Sequence, residues 1–249
     1  VKSAERTVRI LQALAEPPYT FTVAQLQERT GYPRSSLHAL LRTLVDLRWI
    51  EPPTATGGYG MGAQALLTGT AYLDRDEALP RAIACIEAIR DETGCTTHVA
   101  RLDGANVIYL ATREAPDAHR GTSRVGRYLP AHATSLGKAL LSERTAAELD
   151  ELLPAELPRL TPDTVADRGA LEAELAATRE RGYAVERGQN LAGTTCVGVR
   201  IEYRIPATDA ISCSMRSEAA TDDEVARVAA VVQRHAGRLA RDLRAAGIR

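Results

Sequence analysis

The chain predicts an α+β fold in two parts: a small helical module closed by a β-hairpin, then a larger domain of helices with an antiparallel sheet. Three observations predict it. Within the first 62 residues, three helical periods precede two short extended pieces around a Pro/Gly tip. Beyond residue 77, helical and strand-like runs mix without the strand–helix–strand rhythm of a parallel sheet. The chain has 249 residues, 45% hydrophobic and 25% charged, which is enough apolar material for two cores and too much for wholesale disorder.

In chain order, Ser3 is placed to cap a first helix reaching about residue 15, with Val8, Leu11 and Leu14 inward. Pro17-Pro18 stops it. Thr22 is placed to cap a short second helix over 23–29, with Val23, Leu26 and Ala24 inward. Gly31 supplies the positive φ that a tight helix–helix turn needs. A third helix over 34–47 carries an apolar stripe of Leu37, Leu40, Leu41, Leu44 and Leu47. Trp49-Ile50 and the run 59–61, around the irregular stretch 53–58, read as a hairpin. Three helices and a hairpin make the plan of a winged helix-turn-helix over 1–62. A linking helix follows over 63–76, with Leu66, Leu67, Thr70 and Leu73 as its less polar face.

The second domain covers 77–249. Pro80 suits the first turn of a helix that ends before Gly94, with Ile83, Ile86 and Ile89 inside. Two strands, 96–102 and 106–112, flank Asp103-Gly104, a pair favoured in two-residue hairpin turns. A polar, Arg-rich loop leads to the run 129–141. A helix over 169–181 ends at Gly182, and 183–186, 196–203 and 210–215 are strand candidates. Thr221-Asp222-Asp223-Glu224 is a capping-box pattern opening a last helix with Val225, Val228, Val232, Leu239 and Leu243 inward.

Net charge is −1, which taken whole argues against a chain-wide electrostatic nucleic-acid binder. Residues 1–62 carry +2, however, and the remainder −3. That is the sign expected of a nucleic-acid-binding N-terminus. No apolar run is long enough to span a membrane and no signal-peptide core follows the first residues. The four cysteines form no C-x-x-C pair, and the histidines are scattered relative to them. A reduced, cytoplasmic chain without a metal site or cofactor is therefore expected.

In a helix-turn-helix the second helix of the pair enters the major groove. Here that is the helix starting at Arg34. Arg34 and Arg42 can serve phosphate or guanine, Ser35, Ser36 and Thr43 can donate short hydrogen bonds, and His38 can do either. Thr22 stands where a phosphate can meet the preceding helix. An amphipathic helix has a solvated polar face in any protein; the Gly turn, the helix order and the hairpin together favour DNA. The wing run 54–60 holds no Lys or Arg.

Several runs resemble one family. They are Ser3-Ala4-Glu5-Arg6-Thr7-Val8-Arg9-Ile10-Leu11, Gly31-Tyr32-Pro33-Arg34-Ser35-Ser36-Leu37-His38, Tyr59-Gly60-Met61-Gly62, Leu129-Pro130-Ala131-His132-Ala133-Thr134-Ser135-Leu136-Gly137-Lys138-Ala139, Arg181-Gly182-Tyr183-Ala184-Val185-Glu186 and Ala210-Ile211-Ser212-Cys213-Ser214. In this order they are similar to the IclR-type bacterial transcriptional regulators along nearly the whole chain. The resemblance implies a winged helix-turn-helix, a linker helix and a GAF-like effector-binding domain. It implies no catalysis and no cofactor, with dimers or tetramers on palindromic double-stranded operators. The effector, a small organic or aromatic acid or related metabolite, would then meet Leu129, Ser135, Leu136, Glu186, Cys196, Ser212 and Ser214. Backbone N–H groups at the start of the helix after Thr134 would form an anion site.

Three other readings compete. Ala133-Thr134-Ser135-Leu136-Gly137 is a degenerate nucleophile elbow, so a serine hydrolase using Ser135 is one, although the residues before it make a poor strand. Gly137-Lys138 lacks the Gly-rich loop of a nucleotide site, leaving Lys138 to pack or pair on the surface. The winged helix can also be a protein-interaction module beside a ligand sensor, which salt dependence separates from DNA binding.

Overall fold

The computed structural model describes residues 1–53, 57–116 and 125–249. The wing tip at 54–56 and part of the Arg-rich loop, 117–124, lie outside the described residues. Two compact units divide the chain, Val1–Asp76 and Glu77–Arg249.

The first unit contains α1 (Lys2–Leu14), β1 (Thr20–Phe21), α2 (Val23–Thr30), α3 (Arg34–Asp46), β2 (Ile50–Glu51), β3 (Tyr59–Met61) and α4 (Ala63–Asp74). Its core gathers Ile10, Leu14, Phe21, Leu26, Leu37, Leu41, Leu44 and Ile50. Helix α1 starts one residue before Ser3, so Ser3 lies inside it and its carbonyl accepts from the Thr7 hydroxyl. The inward stripe is Ile10, Ala13 and Leu14, while Val8 is 53% exposed. Two stripes fit one helical period here, and only the position of α2 selects between them. Thr22 caps α2 in a reciprocal box with Gln25, and Gly31 closes α2 at φ 70. Helix α3 ends at Asp46, because Arg48 turns into the left-handed region at φ 60. Leu47 consequently points to solvent at 59% exposure rather than extending the inward stripe. Strands β2 and β3 pair antiparallel as the hairpin, and β1 adds a third strand on the far side of β3, which its two residues did not announce.

The second unit runs α5 (Leu79–Thr93), β4 (Thr96–Asp103), β5 (Asn106–Arg113), β6 (Tyr128–Pro130), a 3₁₀ turn (Ala131–Ala133), α6 (Ser135–Leu141), α7 (Ala146–Leu152), α8 (Arg168–Arg181), β7 (Ala184–Arg187), β8 (Thr194–Arg200), β9 (Asp209–Arg216) and α9 (Asp222–Ala245). Six strands form one antiparallel sheet in the order β6-β5-β4-β9-β8-β7. Asp103 pairs with Asn106, so the β4–β5 turn residues are Gly104 and Ala105, one later than the sequence suggests. Thr221 caps α9 by accepting from the Glu224 N–H, but the Glu224 carboxylate pairs with Arg227 and the box stays one-sided.

Alternation along the strands gives the sheet two faces. Val99, Val197, Ile211 and Cys213 lie on one, buried where α5 and α9 pack. The other carries Ala100, Ala184 and Ala210, which join Leu136, Leu140 and Leu141 of α6 and Leu171 and Leu175 of α8 in a single core. Helix α6 covers only part of this second face, and a cavity occupies another part.

Candidate functional site

The polar face of α3 is open to solvent. Arg34, Ser35, His38, Arg42 and Thr43 are exposed, and neither Arg34 nor Arg42 enters an ion pair among the described residues. The helix starts at Pro33 without a side-chain cap, so the positive end of its dipole is uncovered by side chains. Two residues of the expected set are already engaged. Ser36 is half-buried and accepts from Arg6, whose guanidinium also stacks over Tyr32. Thr22 spends its hydroxyl oxygen on the α2 cap. Arg6 thus fixes the start of α3 from helix α1, a contact between residues 30 apart that sequence reasoning missed.

In the second unit a cavity of about 670 Å³ lies against the sheet. Its floor follows from strand register. Thr96 of β4 pairs with Ser214 of β9, Ser214 with Cys196 of β8, and Cys196 with Glu186 of β7. These four side chains form one row across four strands, and all four line the cavity. Leu129, Asn190, His98, Tyr109 and Arg127 complete its inner wall.

The row is hydrogen-bonded end to end on the Glu186 side. Glu186 accepts from the backbone N–H of Gln189 and of Asn190, the latter at 2.9 Å, and it bonds the Cys196 thiol. Cys196 Sγ lies 3.2 Å from Ser214 Oγ, which lies 3.3 Å from His98 Nε2. His98 Nδ1 is 3.0 Å from Thr112 Oγ1, and the ring meets Tyr109 edge-on with centroids 5.2 Å apart. Burial, aided by the nearby Arg127 charge, holds the His98 imidazole down at about 4, so it is neutral near pH 7. Burial raises the Glu186 carboxyl and the Cys196 and Tyr109 groups above their ordinary ranges. The thiol is therefore a hydrogen-bonding group here and a poor nucleophile.

Of the seven residues expected at the effector site, the structure brings Leu129, Glu186, Cys196 and Ser214 to the cavity. It places Ser135, Leu136 and Ser212 elsewhere, all buried. The reason is Gly198. It follows Cys196 by two on β8 and pairs with Ser212, and it lies directly under the start of α6, where any Cβ would run into the Ser135 carbonyl. Without that Cβ, α6 settles on the sheet and covers Ser212. The first turn of α6 also receives the Thr134 cap at Gly137 N–H. The anion site expected at this helix start is thus closed by protein.

Ser135 is 1% exposed, and its sequence neighbour His132 directs Nε2 to the Pro158 carbonyl at 3.0 Å. The nucleophile-elbow reading loses both its accessible serine and its base. Lys138 is fully buried rather than on the surface, bonded to Glu174 of α8 and to the Gln189 side chain. The cavity residues that sequence reasoning missed include Thr96, His98, Tyr109, Arg127 and Asn190. Thr96 and His98 stood out only as part of a polar run, Thr96-Thr97-His98, at the start of a strand. Tyr109 and Arg127 gave no signal, because they reach the cavity only through the pairing of β5 and β6.

Comparison with known proteins adds the family context. Residues 70–241 match the family described as bacterial transcriptional regulator IclR C-terminal, and residues 3–53 match the IclR helix-turn-helix domain. The chain is 34% identical to the HTH-type transcriptional regulator XynR of Escherichia coli, over 91% of this chain and 90% of that protein. Among solved structures it is similar to an IclR transcriptional regulator from Alicyclobacillus acidocaldarius, with a TM-score of 0.83 and 23% identity over 96% of this chain and 98% of that one. It is also similar to an IclR homolog from Microbacterium hydrocarbonoxydans complexed with 4-hydroxybenzoate, with a TM-score of 0.80 and 26% identity over 98% and 99% of the two chains.

Proposed function

Because this chain belongs to the IclR family of bacterial transcriptional regulators, we propose that it binds a palindromic operator as a dimer through two copies of α3, under control of a small organic acid held in the cavity. The family assignment makes it a DNA-binding regulator with an effector-binding C-terminal domain. The working parts are a winged helix over 1–62, a linker helix over 63–76 and an effector domain over 77–249. The observation that carries the reading is the presence, in one chain, of a solvent-open basic face on α3 and a polar-floored cavity in the other unit. The structural relative holding 4-hydroxybenzoate supports an acid as effector.

On this reading the chain performs no catalytic step. Its cavity is built to hold and release, with a neutral imidazole and a protonated Cys196 thiol rather than an activated nucleophile. The effector acts by binding two arrangements of the dimer unequally, since a ligand with equal affinity for both shifts nothing. Helix α4 is the element that carries the difference to the spacing of the reading helices, which must match half-sites about one DNA turn, roughly 34 Å, apart. It buries none of its own residues in the chain, and Leu66 and Leu67 are exposed on it. A second copy covering that apolar pair supplies the dimer contact.

The test is operator binding followed by fluorescence anisotropy. Arg34→Ala and Arg42→Ala are each expected to weaken binding by about 1–3 kcal/mol, with effector titration of the free protein unchanged. Equal loss of both activities would signal misfolding and remove the assignment of α3 as the reading helix.

A further inference from the structure

We propose that Lys138 is a positioning residue for the cavity: buried between α6 and α8, it fixes the Gln189 side chain, and with it the stretch 188–191 that walls the cavity beside Glu186. This rests on the effector reading above for what the cavity is for, and its test reads the shape of the cavity with no effector present.

Lys138 is fully buried on α6 and does not line the cavity itself. Its ammonium donates to one Glu174 oxygen on α8 and to the Gln189 side-chain carbonyl. The Gln189 amide nitrogen donates in turn to the other Glu174 oxygen at 3.1 Å. Three side chains from three parts of the chain thus close a ring, which fixes the way the Gln189 amide points. Gln189 is the joint between this ring and the cavity. Its backbone N–H and that of Asn190 donate to one oxygen of Glu186. The hydroxyls of Thr164 and Thr161 hold the carbonyls of Gln189 and Gly188 at 2.6 and 2.7 Å. Glu186, Asn190 and Leu191 line the cavity, so the place of Gln189 decides where three wall residues stand.

The chemistry of the ring favours position over stability as its role. A buried charge pair returns about what its desolvation costs, and apolar side chains of similar volume would fill the space as well. Such side chains could not orient an amide. The Glu174 side chain is 32% exposed and can be solvated, whereas Lys138 is 0% exposed. Loss of the ammonium therefore leaves the buried Gln189 carbonyl oxygen without its donor, and the amide is free to turn. Cys196 reports the result from the cavity floor. Its thiol bonds Glu186, and burial together with the Glu186 charge holds the thiol above its ordinary range. A loosened wall admits a reagent and withdraws the Glu186 charge, and both changes speed alkylation. Cys213 lies on the opposite face of the sheet at 0% exposure, so it reacts only when the unit opens as a whole.

The experiment is alkylation of the full chain by iodoacetamide at mildly alkaline pH, with the rates at Cys196 and Cys213 followed by peptide mass spectrometry. Lys138→Met is expected to speed Cys196 about tenfold, as for loss of one hydrogen bond to a charged group, and to leave Cys213 unchanged. Gln189→Leu keeps the Lys138–Glu174 pair and is expected to do the same. Lys138→Met added to Gln189→Leu is expected to change little, because the link through Gln189 is already broken. Should Lys138→Met alone fail to fold, Lys138→Met with Glu174→Leu removes both charges together and carries the same expectation. A Cys196 rate that is unchanged or lower in Gln189→Leu, equal acceleration of Cys196 and Cys213, or full multiplication of the two effects overturns the proposal. The labelling needs neither effector nor operator. Its failure removes the role of Lys138 and leaves the effector reading standing, whereas a cavity that proved to have no effector role would leave the labelling pattern as described.

Discussion

His98 couples the cavity floor to pH. Its imidazole is held down at about 4 by burial first and the Arg127 charge second, from an ordinary 6.5. Between those values the unfolded chain binds a proton that the folded chain refuses. The stability contributed by neutral His98 is therefore complete above 6.5 and is lost as pH falls toward 4. At about 1.4 kcal/mol per pH unit the full effect is about 3 kcal/mol. Glu186 acts in the opposite sense, since burial raises its carboxyl and its contribution is lost as pH rises through that raised value. Melting temperatures between pH 7.5 and 5 are expected to fall for the natural chain and to fall much less for His98→Gln. Parallel curves for the two proteins would remove His98 as the source. The polar character of His98 was visible in the sequence, at the polar start Thr96-Thr97-His98 of a strand. Its partners Thr112 and Tyr109 on β5 and Ser214 on β9 were not, because only sheet pairing brings those strands beside β4.

At the scale of elements, the placement of α6 decides what the second unit can bind. A glycine at 198 lets the Ser135–Leu136 backbone rest on β8. Gly198→Ala is expected to destabilise the second unit by about 3 kcal/mol, since the added methyl meets backbone that cannot swing aside. Gly69→Ala on α4, where nothing lies within reach of the new methyl, is expected to be neutral or to stabilise by up to about 1 kcal/mol. Urea unfolding of both variants checks the contrast, and similar shifts for the two would mean that α6 is not held by close approach. Helix existence and many of the caps were legible: Thr22 before Gln25, Gly31 after α2, Pro80 in the first turn of α5, Thr221 before α9. Those signals are local, because a cap or a positive φ is satisfied within a few residues. Which stripe of a helix faces inward was less legible, as Val8 and Leu47 demonstrate, since that choice belongs to the neighbouring element.

For the whole molecule, the charge balance limits what one copy can do. A module with a net charge of +2 and no basic residue in the wing run gains little from non-specific attraction to DNA, which is the reason for proposing that two modules act together in a dimer. Leu66→Glu combined with Leu67→Glu is expected to shift the protein toward monomer in sedimentation and to weaken operator binding strongly. The fold should be unaffected, because α4 buries none of its residues within the chain. An unchanged sedimentation profile would place the dimer contact elsewhere. The sequence by itself determined the α+β class, the three-helix-and-hairpin plan, a third helix with Arg34 and Arg42 on its polar face, and the family. All of these follow from periodicity, caps and runs of neighbouring residues. Only the tertiary structure decided the cavity. Register across β4, β9, β8 and β7 set Thr96, Ser214, Cys196 and Glu186 in one row, and the position of α6 took Ser135, Leu136 and Ser212 out of it. The physical reason is that a cavity is the space left after elements pack, so it depends on contacts between residues many positions apart that no local pattern encodes.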